Sequence, residues 1–149
     1  MDAGRVEAIN IGPERQLPAP VERVAAHAGK GLLGNRYYFD EGAEPGRALT
    51  LIAAEALEAM AAEHGIEITA AESRRNVLTR GIDVNALVGK RFRVGEVECV
   101  GVELCHPCKH LESMTKPGVI KGLANRGGLN ADILSDGEIA VGDEVVATA

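Results

Sequence analysis

The sequence predicts a mainly β protein of the α+β type. The expected form is a closed or nearly closed β-barrel of short strands, with one clear helix and short helical turns. Glycine accounts for 18 of 149 residues, well above the average share of about 7%, which points to frequent tight turns and short strands between them. Apolar–polar alternations recur along the chain. Only residues 53–65 combine the composition and length of a good helix. Aromatics are scarce and tryptophan is absent, so the core has to be built from Val, Leu, Ile and Ala. The length suits one domain spanning residues 1–149, large enough to bury roughly 70% of its unfolded surface without disulfide staples.

The elements follow in order. "GRVEAINI" (4–11) alternates as a strand, and "GPERQLPAP" (12–20) reads as a proline-marked loop. Residues 21–39 begin strand-like and then meet Gly29, Gly31 and Gly34, with an exposed loop over 40–47. "ALTLI" (48–52) is a short apolar strand. "AAEALEAMAAEHG" (53–65) is the helix, with Leu57, Met60 and Ala61 on one face and Gly65 as its stop. "AESRRNVLTRG" (71–81) reads as a strand end leading into a turn, and "DVNALVG" (83–89) as one helical turn capped by Asp83. Residues 90–104 form a strand pair folded at Val94-Gly95-Glu96. "KHLESM" opens a short helix after Cys108, broken by Pro117 and Gly118. Residues 128–147 read as three short strands, with turns at Ser135-Asp136-Gly137 and Gly142-Asp143. "GKRFRVGEVECV" and "DGEIAVGDEVVA" echo each other as a repeated hairpin solution.

The formal net charge of −6 argues against wholesale binding to phosphate backbones, so no nucleic-acid partner is expected. No apolar run approaches the roughly 20 residues a membrane span needs. The amino terminus lacks the pattern of a secretion signal. The three cysteines therefore read as thiols in a reducing cytoplasm.

Two of them stand in "VELCHPCKHLESM" (102–114). Four readings compete. Cys105, His106, Cys108 and His110 are all zinc-ligand types, but they crowd into six residues, whereas tetrahedral sites usually draw pairs from separate elements. No second pair exists, since His27 and His64 stand alone as surface residues and Cys99 lies in a strand. A thioredoxin-type dithiol has the right local order of strand, Cys-His-Pro-Cys and helix, but lacks a βαβ setting near the start of the chain. A buried, inert cysteine suits Cys99 well and Cys108 least. The fourth reading is a single reactive thiol at Cys108. There a helix start and the neighbours Lys109, His106 and His110 favour a thiolate that carries a persulfide or ligates a soft metal.

"LCHPCKHLE", with "RRNVLTRGIDVNALVGKRFRVGEV" before it and "NRGGLNADILSDGEIAVGDEVV" after it, resembles the MOSC domain found at the carboxyl end of molybdenum cofactor sulfurases and as small stand-alone bacterial proteins. "GKGLLGNRYY" resembles that family's Gly-Asp-Arg segment. The likeness runs from about Val21 to Val146. It implies a barrel related to the β-barrel domain of pyruvate kinase. It also implies that Cys108 holds sulfane sulfur as a persulfide, or ligates molybdenum, and it maps the family's Arg-Asn onto Arg75 and Asn76 and its Arg-Gly-Gly onto Arg126, Gly127 and Gly128. The partners it implies are a cysteine desulfurase or other sulfur donor and a small-molecule pterin, the molybdenum cofactor. Two departures stand out. Gly34-Asn35-Arg36 replaces Gly-Asp-Arg and removes one carboxylate. No pyridoxal phosphate domain precedes the segment, so sulfur extraction from free cysteine is not expected of it.

Arg36, Arg75, Arg80 and Arg126 fall around these motifs, and guanidinium groups suit a phosphate-bearing pterin. Arg36, Arg75, Asn76 and Arg126 are therefore the expected cofactor-binding residues and Cys108 the catalytic one, or the molybdenum ligand. "AGKGLLGNR" fails as a phosphate loop, because Gly31 stands where Ser or Thr would meet Mg²⁺. Glu55, Glu58 and Glu63 read as a solvated helix face. Two alternatives remain open: a pterin- or anion-binding module without chemistry, and a dithiol oxidoreductase using Cys105 and Cys108.

Overall fold

The computed structural model describes residues 3–13 and 16–148. The strands are β1 (Ala3–Ile11), β2 (Ala19–Val21), β3 (Arg23–His27), β4 (Gly31–Leu32), β5 (Leu49–Ala53), β6 (Val77–Arg80), β7 (Arg91–Val94), β8 (Val97–Leu104), β9 (Leu129–Ile133), β10 (Gly137–Ala140) and β11 (Glu144–Ala147). The helices are α1 (Ala54–His64), α2 (Lys109–Met114) and α3 (Val119–Gly122), with a 3-10 turn at Val84–Leu87.

Seven strands close a mixed barrel in the order β11-β7-β8-β9-β5-β6-β1, and β1 returns to β11 with Ala3 opposite Val146. Closure leaves this set of strands without an unpaired edge. Among the strand pairs of the described residues only β5–β6 is parallel, with Leu51 opposite Val77. Parallel neighbours need a long crossover, and α1 lies within it, which is why the chain's longest helix falls here. Strands β10, β3 and β4 make a second, three-stranded sheet.

Alternation within the strands fills the interior. Val6, Leu49, Leu51, Phe92, Val94, Val97, Cys99, Leu129 and Ile133 form one buried cluster with Val24, Ala26, Leu32 and Ile139 of the small sheet. Strand β5 is buried on both faces, because Ile52 points away from Leu51 into a second cluster with Ala56, Met60, Leu111, Val119 and Leu123. That second cluster pins all three helices outside the barrel. Among the described residues, no helix is long and apolar enough to cross a membrane.

The barrel, the helix at 54–64, the Asp83 cap (Asn85 N–H donates to its carboxylate at 3.0 Å) and the β7–β8 hairpin agree with the sequence reading. Four details differ. The loop expected over 12–20 ends in β2, where Pro20 is tolerated because β2 is an edge strand that pairs only with β1. In 71–81 the turn precedes the strand. On α1, Ala54 and Ala56 join Met60 as the buried residues, and Leu57 and Ala61 are only half-buried. The second half of the echo is not a hairpin, since β10 pairs with β3 while β11 pairs with β1 and β7. Hydrogen bonds from Gly142 N to Val6 O and from Val6 N to Asp143 O hook that turn onto β1, so the chain changes sheets there.

Phe92 is fully buried at the centre of a core poor in aromatics. Phe92→Ala is expected to lower stability by about 3–5 kcal/mol. A urea melt would show this as a lower midpoint with an unchanged slope.

Candidate functional site

Cys108 is the N-cap residue of α2 and is exposed. Its carbonyl accepts from Glu112 N at 3.0 Å, and Leu111, one turn in, is buried in the second core and anchors the helix. The Glu112 carboxylate then accepts from Gly118 N at 3.1 Å and Ile120 N at 3.0 Å. These bonds satisfy free amides at the start of α3 and tie the two short helices together.

Upstream, Cys105 continues the β8–β9 ladder, donating from its N–H to Gly128 O at 2.8 Å. Arg75 clasps the same loop from the other side. It is 9% exposed, and its guanidinium donates to Gly127 O (2.8 Å), Ser73 O (3.3 Å) and Cys105 O (3.4 Å). Three of its five N–H donors are thereby taken by main chain. The Gly127-Gly128 pair is needed for this contact. A Cβ on Gly127 would lie 2.5 Å from Cys105 O and 2.8 Å from the Pro107 ring, and Gly128 adopts φ 117° with Leu51 O against it.

Asn76 is buried and equally committed. Its side-chain oxygen accepts from Thr50 N and Thr50 Oγ1, both at 3.1 Å, and its amide donates to Asn10 O at 3.2 Å. It joins β5, β1 and the start of β6.

The Cys loop faces a cleft of about 340 Å³ bordered by Cys105, Cys108, Arg75 and Asn76, together with Asn35 and Arg36. That volume is at the lower end of small-ligand pockets. The cleft also gathers residues that the sequence reading did not single out. Tyr37, Arg47 and Arg74 border it, and the Arg36 and Arg47 guanidinium carbons lie 4.9 and 5.4 Å from the Tyr37 ring centre. Their signal lay in "GNRYY", in the first Arg of "RRN", and in an arginine closing a Pro-Gly loop. Only folding shows that these three segments meet.

Arg126 and Arg80 lie elsewhere. Arg126 pairs with Glu63 and donates to Gly122 O at 2.8 Å. Arg80 pairs with Glu7 and Glu58. Glu58 and Glu63 are thus exposed but paired, and hydrogen bonds from these arginines hold their carboxyls below the usual range. Glu55 accepts from Gly81 N at 2.8 Å. His27 is half-buried, with Nδ1 2.8 Å from the Tyr38 hydroxyl, while His64 is exposed. No group of three or more metal-ligand side chains assembles among the described residues.

Burial separates the three thiols. It pushes Cys99 up to about 12. It also raises Cys105, an effect that Arg75 partly opposes. Cys108 stands at the surface.

A seven-stranded mixed barrel carrying a cysteine loop beside an arginine-lined cleft is the setting in which the family assignment falls. The MOSC domain matches residues 22–146, and the chain belongs to that family, which is associated with molybdenum cofactor binding or sulfur transfer. No functionally curated protein matches the sequence. Among solved structures, the YuaD protein of Bacillus subtilis superposes with a TM-score of 0.84 at 15% identity, covering 100% of both chains. YiiM of Geobacillus stearothermophilus gives 0.76 at 17% identity over 98% of this chain and 75% of that one. YiiM of Escherichia coli gives 0.72 at 18% identity over 97% and 70%. At such identities the likeness is one of fold.

Two outcomes follow. Arg75→Ala strands the buried Gly127 carbonyl and the part-buried Cys105 carbonyl, so stability is expected to fall by about 1–3 kcal/mol, with faster hydrogen exchange at the Cys105 amide. A raised pKa keeps Cys105 protonated where an ordinary thiol begins to ionise. Iodoacetamide at about pH 8 should therefore modify Cys108 first, and the Cys105 rate should keep climbing at higher pH. Equal rates for the two thiols at pH 8 would contradict this ordering.

Proposed function

We propose that this chain binds the molybdenum cofactor in the cleft and that Cys108 is the sulfur it offers. One observation carries the reading: an exposed thiol borders the same cleft as four guanidinium groups, those of Arg36, Arg47, Arg74 and Arg75. The donor set fits the group. A phosphate-bearing pterin is anionic, guanidinium forks match phosphate oxygens, and a thiolate is a soft ligand of the kind a sulfur-rich metal centre accepts. Bound there, the cofactor supplies a redox-active metal.

The chain's own residues do the rest. Arg75 fixes the Cys105 carbonyl and so sets the loop that presents Cys108. Arg36, Arg47 and Arg74 neutralise the anionic ligand. Asn76 supports the cleft by locking Thr50 and Asn10 in place.

The exposure of Cys108 favours a second reading, sulfane-sulfur carriage. A donor such as a cysteine desulfurase can reach this thiol directly. The Cys108 thiolate attacks the terminal sulfur of the donor's persulfide, the donor's S–S bond breaks, the donor leaves as a thiolate, and Cys108 keeps the sulfur as a persulfide. A dithiol oxidoreductase is less well supported, because half-buried Cys105 is held protonated and serves poorly as a resolving thiolate.

Equilibrium binding of molybdopterin and persulfide labelling after exposure to a desulfurase separate these readings. The expected outcome is molybdopterin binding by the wild type. If Cys108 also carries sulfur, label should appear on Cys108 and be lost in Cys108→Ala but retained in Cys105→Ala. Absence of molybdopterin binding by the wild type would falsify the cofactor reading. Insulin reduction that needs both cysteines would favour the dithiol.

A further inference from the structure

Strand β8 carries one residue more than β9 can match. Cys99, Val100 and Gly101 face Ile133, Asp132 and Ala131, but the next residue opposite β9, facing Asn130, is Glu103 and not Val102. Val102 is thus the extra residue of a β-bulge, and the bulge decides where Glu103 points. Side chains alternate between the two faces of a strand, so in an even ladder Glu103 would follow Cys99 and Gly101 into the buried interior. One inserted residue turns it to the other face, where it is exposed. Asn130 shares that face, and so does Thr50, its neighbour on β5. All three border the cleft.

This wall differs in chemistry from the rest of the cleft. Glu103 is the single carboxylate among the described residues that border it. Four guanidinium groups border the same cleft, yet none lies within ion-pair distance of Glu103. The Thr50 hydroxyl is spent on Asn76. Among the described residues, the hydrogen bonds of the cleft side chains leave the Glu103 carboxylate and the Asn130 amide without a partner. Bulges recur beside active sites because they re-aim a side chain. Directly opposed residues on antiparallel strands hold their Cβ atoms about 4.5–5.5 Å apart, so this bulge sets a carboxylate next to an unspent amide. A carboxylate accepts two parallel N–H bonds, and an amide beside it donates another. A flat ring with an amino group, a ring N–H and a carbonyl in succession offers the matching donor, donor and acceptor. Pterin and guanine rings both carry that edge.

We infer that Glu103 and Asn130 read the aminopyrimidinone edge of the ligand. Glu103 accepts from the amino group and the ring N–H, and Asn130 donates to the ring carbonyl. The choice of pterin over purine rests on the cofactor reading above, but the recognition of the edge does not. The cleft then has two poles, a cationic one for the anionic end of the ligand and an acceptor-rich one that selects the ring.

The test titrates the full chain separately with guanosine monophosphate, with inosine monophosphate, which lacks only the amino group, and with molybdopterin. The proteins are the wild type, Glu103→Gln, Asn130→Ala and, as a charge-matched control, Glu22→Gln, since Glu22 is exposed and outside the cleft. Each variant is expected to keep Tm within about two degrees of wild type, because no partnered side chain is lost. The wild type should prefer the guanosine nucleotide by about tenfold. Glu103→Gln should erase that preference, because an amide oxygen cannot replace the two-oxygen fork. Asn130→Ala should weaken both nucleotides alike, by about fivefold, and Glu22→Gln should bind both as the wild type does. Equal wild-type affinities for the two nucleotides overturn the inference, as does no binding of either. So does a preference that survives Glu103→Gln or is lost in Glu22→Gln, or nucleotide binding unchanged in Asn130→Ala. The expected nucleotide pattern with molybdopterin unbound upholds the edge and removes the cofactor reading. Molybdopterin bound equally by the wild type, Glu103→Gln and Asn130→Ala keeps the cofactor reading and removes the edge.

Discussion

Arg75 is a buried guanidinium whose bonds run to main-chain carbonyls and not to a carboxylate. Burying an ionised group is costly unless its donors are satisfied, and these carbonyls satisfy three of them. In return the side chain fixes two loops far apart in sequence, the one that carries Cys108 and the one that opens β9. Lysine could not do this, since an ammonium on a flexible stem lacks the fork that reaches separate acceptors at fixed angles. The placement of Cys108 over the cleft follows from that clasp, from the absent side chains of Gly127 and Gly128, and from Leu111 in the second core.

The fold was readable to the extent that local rules decide it. Gly65, Asp83 and the Val-Gly-Glu turn at 94–96 each carry a stop, a cap or a hairpin in their own chemistry. The sheet assignment of β10 was not readable, because its echo of β7–β8 is a local pattern. What separates the two is a long-range hook between Gly142, Asp143 and Val6. Pro20 misled for a similar reason, since its tolerance depends on β2 being an edge, a property of the whole sheet.

The site shows the same division. Cys108 could be singled out because proline before it and a helix after it set its surroundings within a few residues. The arginines could not be sorted that way. Arg126 and Arg80 have the same side chain as Arg36 and Arg74, yet Glu63, Glu7 and Glu58 take them up while the other two face the cleft. Which arginine meets a glutamate depends on how α1 lies against β6 and the loop before β9. The role of Asn76 was likewise hidden: the residue is central to the site's construction, but its polar atoms serve Thr50 and Asn10.

The pairing of Ala3 with Val146 has a consequence for how the molecule is made. On a ribosome the first strand emerges more than a hundred residues before its barrel-closing neighbour, and although β2 can soon cover Ile9–Ile11, the Ala3–Arg5 stretch waits for β11 through that whole interval. The strands that bear the cleft, β5, β6, β8 and β9, are all synthesised before β11. They can meet while the cylinder is still an open, curled sheet, as domains often begin to organise during synthesis. Closure is then the contact of greatest sequence separation and carries the largest loop entropy. A nascent chain would thus assemble its thiol and its arginines first and seal its seam last.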